Sequence, residues 1–277
     1  MYQQYRPMGA SGIPLVVKNL MIINGLAFLG SLLFLSRGWG DLNDKLGLYF
    51  PSSDYFRPFQ ILTHIFMHSS FSHLGYNMFA LWMFGSFLEN FWGPKRFLTF
   101  YIITGFGAAA LYLGVNYFEI FQIKSAIAEY MANQSYEQMN ILLRKDPFLM
   151  NKDAISEILY AWSADPTNPK YFAAGQEIAN AILLRKINTP MVGASGAVFG
   201  LLLGNGVLFP NREIHLFFFP FPIKIKYIVL VLGGMELMDG LGNNPMDNVA
   251  HFAHLGGMLF GFILIKYWNK TDRSSFY

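Results

Sequence analysis

Met191-Val-Gly193-Ala-Ser195-Gly196-Ala-Val-Phe-Gly200-Leu-Leu-Leu-Gly204-Asn-Gly-Val-Leu-Phe209 is a run without a single charge. A helix of roughly 20 such residues crosses the ~30 Å hydrocarbon core of a bilayer. Gly196, Gly200 and Gly204 recur every four residues, so they line one helix face and allow a second backbone to approach closely. Ser195 puts a hydroxyl near the start of this apolar run. Polar groups inside a bilayer are costly and point to function, although serine also serves simply as a small residue where helices pack.

Working outward, five more segments read as spans, at about 16–35, 72–91, 97–117, 225–240 and 250–268. The expected fold is all-α: a polytopic bundle of six transmembrane helices. The first segment reads as a retained anchor, since it runs into Ser36-Arg37-Gly38-Trp39 rather than a small-residue cleavage site. Composition agrees, with 53% hydrophobic residues, 28 Phe and only 13% charged residues, which excludes a disordered chain and fits an ordinary soluble globule poorly. A net charge of +3 is too small to indicate a nucleic-acid partner. With no cysteine, disulfides, thiolate metal sites and cysteine nucleophiles are excluded, so covalent catalysis would need another side chain.

Charge is concentrated in 118–190, which holds seven of the 20 basic and eight of the 17 acidic residues. Three parts are therefore expected: 1–117 with spans one to three, 118–190 as a polar helical insert, and 191–277 with spans four to six. The insert carries a capping-box pattern, Ser135-x-x-Gln138, a turn at Asp165–Pro169, and Ile155, Ile158, Leu159 and Trp162 at helical spacing. A core of its own or packing on the membrane domain is expected, with substrate recruitment open as a role. Lys and Arg in the short segments favour the side of the termini: Arg6, Lys18, Lys95, Arg96, Arg212, Lys224, Lys226, Lys266, Lys270 and Arg273 face Arg37, Lys45 and Arg57. Both termini are expected in the cytoplasm, and the insert on the outer side.

The second span opens His64-Ile-Phe-Met-His68-Ser-Ser-Phe-Ser-His73-Leu-Gly-Tyr-Asn77, and the sixth Ala250-His251-Phe252-Ala253-His254-Leu255-Gly256-Gly257, with Gly261 one turn further. His73 and Asn77 share one helix face. Counted from the outer ends, Asn77, Ser195 and His254 lie at one depth, roughly 5–9 Å in. If the glycine faces of the fourth and sixth spans meet, Ser195 and His254 meet too.

A serine hydroxyl becomes a nucleophile when a histidine accepts its proton, and the tetrahedral oxyanion then needs donors. Ser195 is the candidate nucleophile and His254 the base. His73, Asn77 and the backbone N–H groups around Gly193 and Ser195 are candidate oxyanion donors. No carboxylate is evident beside His254, so the reading is a dyad whose imidazole is oriented by packing. His64 and His68 could suggest a metal site, but no HExxH pattern or nearby carboxylate accompanies them. No metal or cofactor is expected, and both histidines read as structural or water-retaining. His251 reads as a lining residue. Glu236 in the fifth span is an unassigned carboxylate, by default solvated near the outer end or bonded to a neighbouring helix. Asp239-Gly-Leu-Gly-Asn-Asn-Pro-Met-Asp247 is either a plain turn or a mobile cap. The rival from another class is an inactive protein that binds membrane segments without cutting them, and a channel or transporter is a third reading.

Taken together, Gly193-x-Ser195-Gly196, Ala253-His254-Leu255-Gly256-Gly257-x-x-x-Gly261 and the series His64-x3-His68-x4-His73-x3-Asn77 make the sequence resemble the rhomboid family of intramembrane serine proteases, in its bacterial form. The resemblance covers most of the chain outside the insert. It implies Ser195 as nucleophile, His254 as base and then acid, and His73 and Asn77 as oxyanion donors. It also implies that Arg57 matches the family's Trp-Arg motif, with Phe56 in place of Trp, and that Glu89 is a structural glutamate at the inner end of the second span. Transmembrane protein substrates, the lipid bilayer as surroundings and a bacterial cytoplasmic membrane are implied likewise. The insert departs from the family pattern, because the loop between the third and fourth spans is ordinarily short in bacterial members.

Overall fold

The computed structural model describes residues 12–146, 149, 153–215, 221–242 and 250–271. Arg6, Arg273 and residues 243–247 of the stretch before the sixth segment lie outside the described residues. Each of the six apolar segments contains a helix, the fourth after an extended start. The first is Leu15–Ser36. The second is built from Phe71–Ala80, a π-helical turn Leu81–Gly85 and Ser86–Trp92. The others are Pro94–Ala132, Ser195–Leu208, Ile225–Gly242 and His251–Thr271. Among the described residues, Leu15–Ser36 and Pro94–Ala132 are both long and apolar enough to cross a membrane, while Ser195–Leu208 is apolar but shorter.

The third segment differs from the expectation in length. It starts with Pro94 at its first position, where the missing N–H is no loss, and continues past 117 to Ala132. Charges appear from Glu119 onward, yet Ile120, Ile123, Ala126 and Tyr130 keep an apolar stripe at helical spacing and no glycine or proline interrupts it. The shift in composition marks a change of surroundings rather than a break in the chain.

That extension forms one wall of a second hydrophobic core. Ile123, Ala126 and Tyr130 pack with Met139, Leu142 and Leu143 of helix Tyr136–Leu143, Leu159 and Trp162 of helix Asp153–Ala164, and Ile178, Ala179 and Ile182 of helix Pro169–Ile187. Ser135 caps Tyr136–Leu143 by accepting from the Gln138 N–H. Asn168 caps Pro169–Ile187, and a two-pronged Arg185–Asp146 pair, both contacts 2.6 Å, closes the side.

The main core lies where Pro94–Ala132, Ser195–Leu208 and His251–Thr271 meet, with Phe97, Phe100, Tyr101, Leu201 and Ile265 buried. Glycine sets the spacing. A Cβ on Gly257 would collide with the Gly196 carbonyl, and one on Gly261 would lie 3.4 Å from the Gly200 oxygen. The two glycine faces thus meet as the spacing requires, although Gly200 and Gly204 also face Thr104 and Phe100 of the long helix. Such contact maximises van der Waals packing where lipid offers no hydrophobic drive.

Two polar ties brace this frame. Glu89, 5% exposed, accepts from the backbone N–H groups of Val16 (2.9 Å) and Val17 (2.8 Å). It thereby satisfies orphan donors at the start of Leu15–Ser36 and sits at the positive end of that helix. Asn205, fully buried, donates to the Phe84 carbonyl at the π-helical turn (3.1 Å) and to Leu201 O (2.9 Å), and accepts from Arg212 (3.2 Å). A short antiparallel pair, Glu213–Ile214 with Ile223–Lys224, precedes Ile225–Gly242 in a stretch whose sequence reads only as loop.

Candidate active site

The fourth apolar segment begins as extended chain, not helix. Met191 pairs with Leu48 of the first loop in an isolated bridge, and Gly193 adopts φ +127, which L side chains rarely take. The helix then starts at Ser195. Ser195 is therefore half-buried at a helix end, and its backbone N–H is one that the helix leaves without an internal partner.

His254 comes from the first turn of His251–Thr271, and its Nε2 lies 2.8 Å from Ser195 Oγ. With the imidazole proton on Nδ1, the hydroxyl donates to Nε2. The ring of Phe199, one turn below Ser195, stacks on the imidazole at 4.3 Å with planes 7° apart. That fits the expected orientation by packing, but a second support corrects the sequence reading. Glu236 of Ile225–Gly242 places Oε2 2.8 Å from His254 Nδ1, an ion-pair separation, but too far off the direction of the ring N–H to make a hydrogen bond in the resting arrangement. The same oxygen accepts from His251 Nδ1 at 2.6 Å. A carboxylate does stand beside His254. His251 is a partner of that carboxylate, not simply a lining residue.

His73 faces the nucleophile across Gly193. A Cβ on Gly193 would lie 2.8 Å from His73 Cε1 and Nε2 and 3.5 Å from Ser195 Oγ. Ser69 Oγ lies 3.2 Å from His73 Nδ1. When that hydroxyl donates, the ring proton resides on Nε2, the edge toward Ser195. Asn77, 5% exposed, donates from Nδ2 to the His73 carbonyl (2.9 Å), and the amide has a second hydrogen available. The N–H of Gly193 donates to the His64 carbonyl (2.9 Å). Gly193 therefore contributes its backbone turn and lack of side chain, and its amide is not an oxyanion donor in this arrangement.

His64 and His68 are each 1% exposed, with Nδ1 at 2.9 Å from Gln60 O and 3.3 Å from Phe66 O. The His68 ring meets His73 edge-on at 5.0 Å. A cavity of about one water's size lies beside the nucleophile, lined by His64, Gly193, Ser195, Ala250 and Ala253. Arg57 donates from Nη1 to the carbonyls of Asp54 (2.9 Å) and Phe56 (2.7 Å), fastening the first loop to itself. The loop is tied to the approach to Ser195 by Ser53 Oγ donating to Asn188 Oδ1 (2.7 Å).

Glu236, His251 and His254 bring three ligand-type atoms within 4.8 Å of one another. Tetrahedral zinc with bonds near 2.0 Å spaces its ligands roughly 3.3 Å apart. The observed 2.6 and 2.8 Å are shorter than that, and His254 Nε2 is engaged with Ser195.

A Rhomboid domain family model matches residues 55–120 and 170–270, and so passes over the middle of the polar insert. The chain is 26% identical over 217 residues to RHOMBOID-like protein 12, mitochondrial, of Arabidopsis thaliana, covering 78% of this chain and 47% of that protein. It is 26% identical over 216 residues to Rhomboid protein 1, mitochondrial, of Saccharomyces cerevisiae, covering 76% and 42%. A shorter match, 34% identical over 97 residues, joins it to RHOMBOID-like protein 4 of Arabidopsis thaliana. The chain spans less than half the length of the curated relatives it matches.

Proposed function

The chain belongs to the rhomboid family, and on that premise we propose that it is an intramembrane serine endopeptidase that cuts transmembrane segments of other membrane proteins near their outer ends. The observation that carries the reading is the 2.8 Å approach of Ser195 Oγ to His254 Nε2 at the meeting of two glycine faces. As Oγ attacks the peptide carbonyl carbon, its proton passes to Nε2 and the carbonyl electrons move onto oxygen. His73 Nε2–H, the second Asn77 amide hydrogen and the Ser195 backbone N–H surround the oxyanion. Its collapse breaks the C–N bond, and His254 returns the proton to the leaving amine. Water then enters by the same base catalysis and releases the acyl group.

All six helices span the membrane in this reading, with both termini on the side rich in Lys and Arg. That side is the cytoplasm in a bacterial cytoplasmic membrane. Two relatives are named as mitochondrial, and in a mitochondrial membrane the corresponding side is the matrix. Ser195–Leu208, 14 residues long, extends only about 21 Å of a ~30 Å hydrocarbon core. With its inner end at the boundary, Ser195 sits below the outer surface, within reach of water. A substrate helix must unwind there to expose a carbonyl. As in the family, small residues at the cut and helix-breaking residues after it are preferred.

The test combines labelling of the purified full chain by a fluorophosphonate with cleavage of a membrane-anchored reporter. Wild type labels and cleaves, and Ser195→Ala and His254→Ala do neither. Cleavage by Ser195→Ala overturns the mechanism. A wild type that neither labels nor cleaves indicates an inactive relative that binds membrane segments.

A further inference from the structure

We propose that Glu236 is a positioning residue for His254, held in place by His251, so that the Ser195–His254 pair is backed by a carboxylate with a second histidine behind it. The inference rests on the protease reading and adds to it a group that acts through His254 without touching substrate.

A neutral imidazole can carry its proton on either nitrogen, and only the form with Nδ1–H leaves Nε2 free to take the Ser195 proton. A carboxylate oxygen 2.8 Å from Nδ1 favours that form by charge, because a lone pair on Nδ1 would face a negative oxygen that accepts and cannot donate. It also stabilises the imidazolium created when the Ser195 proton arrives, without taking that proton itself. The Nδ1–H does not bond Oε2 in the resting arrangement, so the support is an attraction of charge that grows when the imidazolium forms.

The second histidine explains how the carboxylate is kept there. Glu236 is on a helix whose neighbouring side chains Met235, Leu237 and Met238 are 48–73% exposed, so little packing fixes its rotation. The 2.6 Å bond from His251 Nδ1 to the same Oε2 fastens the carboxylate from the helix that carries His254. His251 and His254 lie on one helix face, and their side chains are 11% and 9% exposed, Glu236 14%. A carboxylate in such surroundings requires partners, and these two imidazoles supply them.

The decisive experiment measures reporter cleavage and His254 tautomer in detergent-solubilised full chain. The variants are Glu236→Gln, Glu236→Ala, His251→Ala and the double Glu236→Ala/His251→Ala. Removing the charge of a triad carboxylate elsewhere lowers kcat by roughly 10⁴-fold, and here, with Phe199 also orienting the ring, a fall of about 10²-fold is expected for Gln and Ala with KM unchanged. Nitrogen-15 resonances of His254 should move from the Nδ1–H form toward a mixture in both. His251→Ala should lower kcat less, and the double variant should be no slower than Glu236→Ala, since His251 acts through the carboxylate. A Glu236→Gln kcat near wild type, a loss confined to KM, or an unchanged tautomer overturns the proposal. If wild type cleaves nothing, the protease reading falls, and the tautomer measurement by itself decides whether Glu236 orients His254.

Discussion

Asn77 shows how residue type and position divide the work at the site. Histidine and serine spacing name it as a donor, yet in the resting structure one amide hydrogen already serves the His73 carbonyl. That bond fixes the amide plane before any substrate arrives, which is what an oxyanion donor requires, since no reorganisation is then needed as charge develops. Asn77→Ala should therefore lower kcat on the order of 10²-fold with little change in KM, read from steady-state cleavage of the reporter. A change confined to KM would remove Asn77 from the oxyanion site. The neighbouring Gly193 was legible as part of a Gly-x-Ser-Gly motif, but its φ of +127 and the His64 bond that takes up its amide were not. Both depend on the first loop docking against residues 188–193.

At the scale of elements, the glycine spacing was the most informative pattern in the sequence, because a close helix contact leaves no other residue type possible. Gly257→Ala places a methyl against the Gly196 carbonyl and forces the Ser195 and His254 helices apart. The expected cost is about 1–3 kcal/mol, seen as a lower unfolding midpoint in detergent, together with loss of fluorophosphonate labelling. Gly234→Ala, where a Cβ meets nothing within 4 Å, should leave the midpoint unchanged or slightly raised. The end of the third span was not legible from composition. Helix formation depends on local spacing and the absence of breakers, so Pro94–Ala132 passes from apolar to charged sequence without a turn.

Among the described residues the hydrophobic side chains form a main core, a second core in the insert and a small cluster of Leu48, Ala108, Ala109, Met191 and Ala253 between them, and the long helix Pro94–Ala132 contributes to all three. Trp162 is fully buried in the second, against Tyr130, Tyr171 and Phe172. Trp162→Ala should cost about 3–5 kcal/mol of local stability. Hydrogen exchange should show lost protection across 123–187, while Ser195 labelling proceeds at the wild-type rate. Slower labelling would mean that the two cores support each other. The sequence by itself determined the apolar segments, the polar insert and the glycine faces, because each is a matter of residue type and spacing along the chain, and it named Ser195 and His254 as candidates whose meeting depended on those faces packing. Only the tertiary structure decided that Glu236 and His251 stand behind His254. An acid in an apolar segment announces that it needs a partner, but which partner it finds depends on the rotation and depth of two helices that local spacing does not encode.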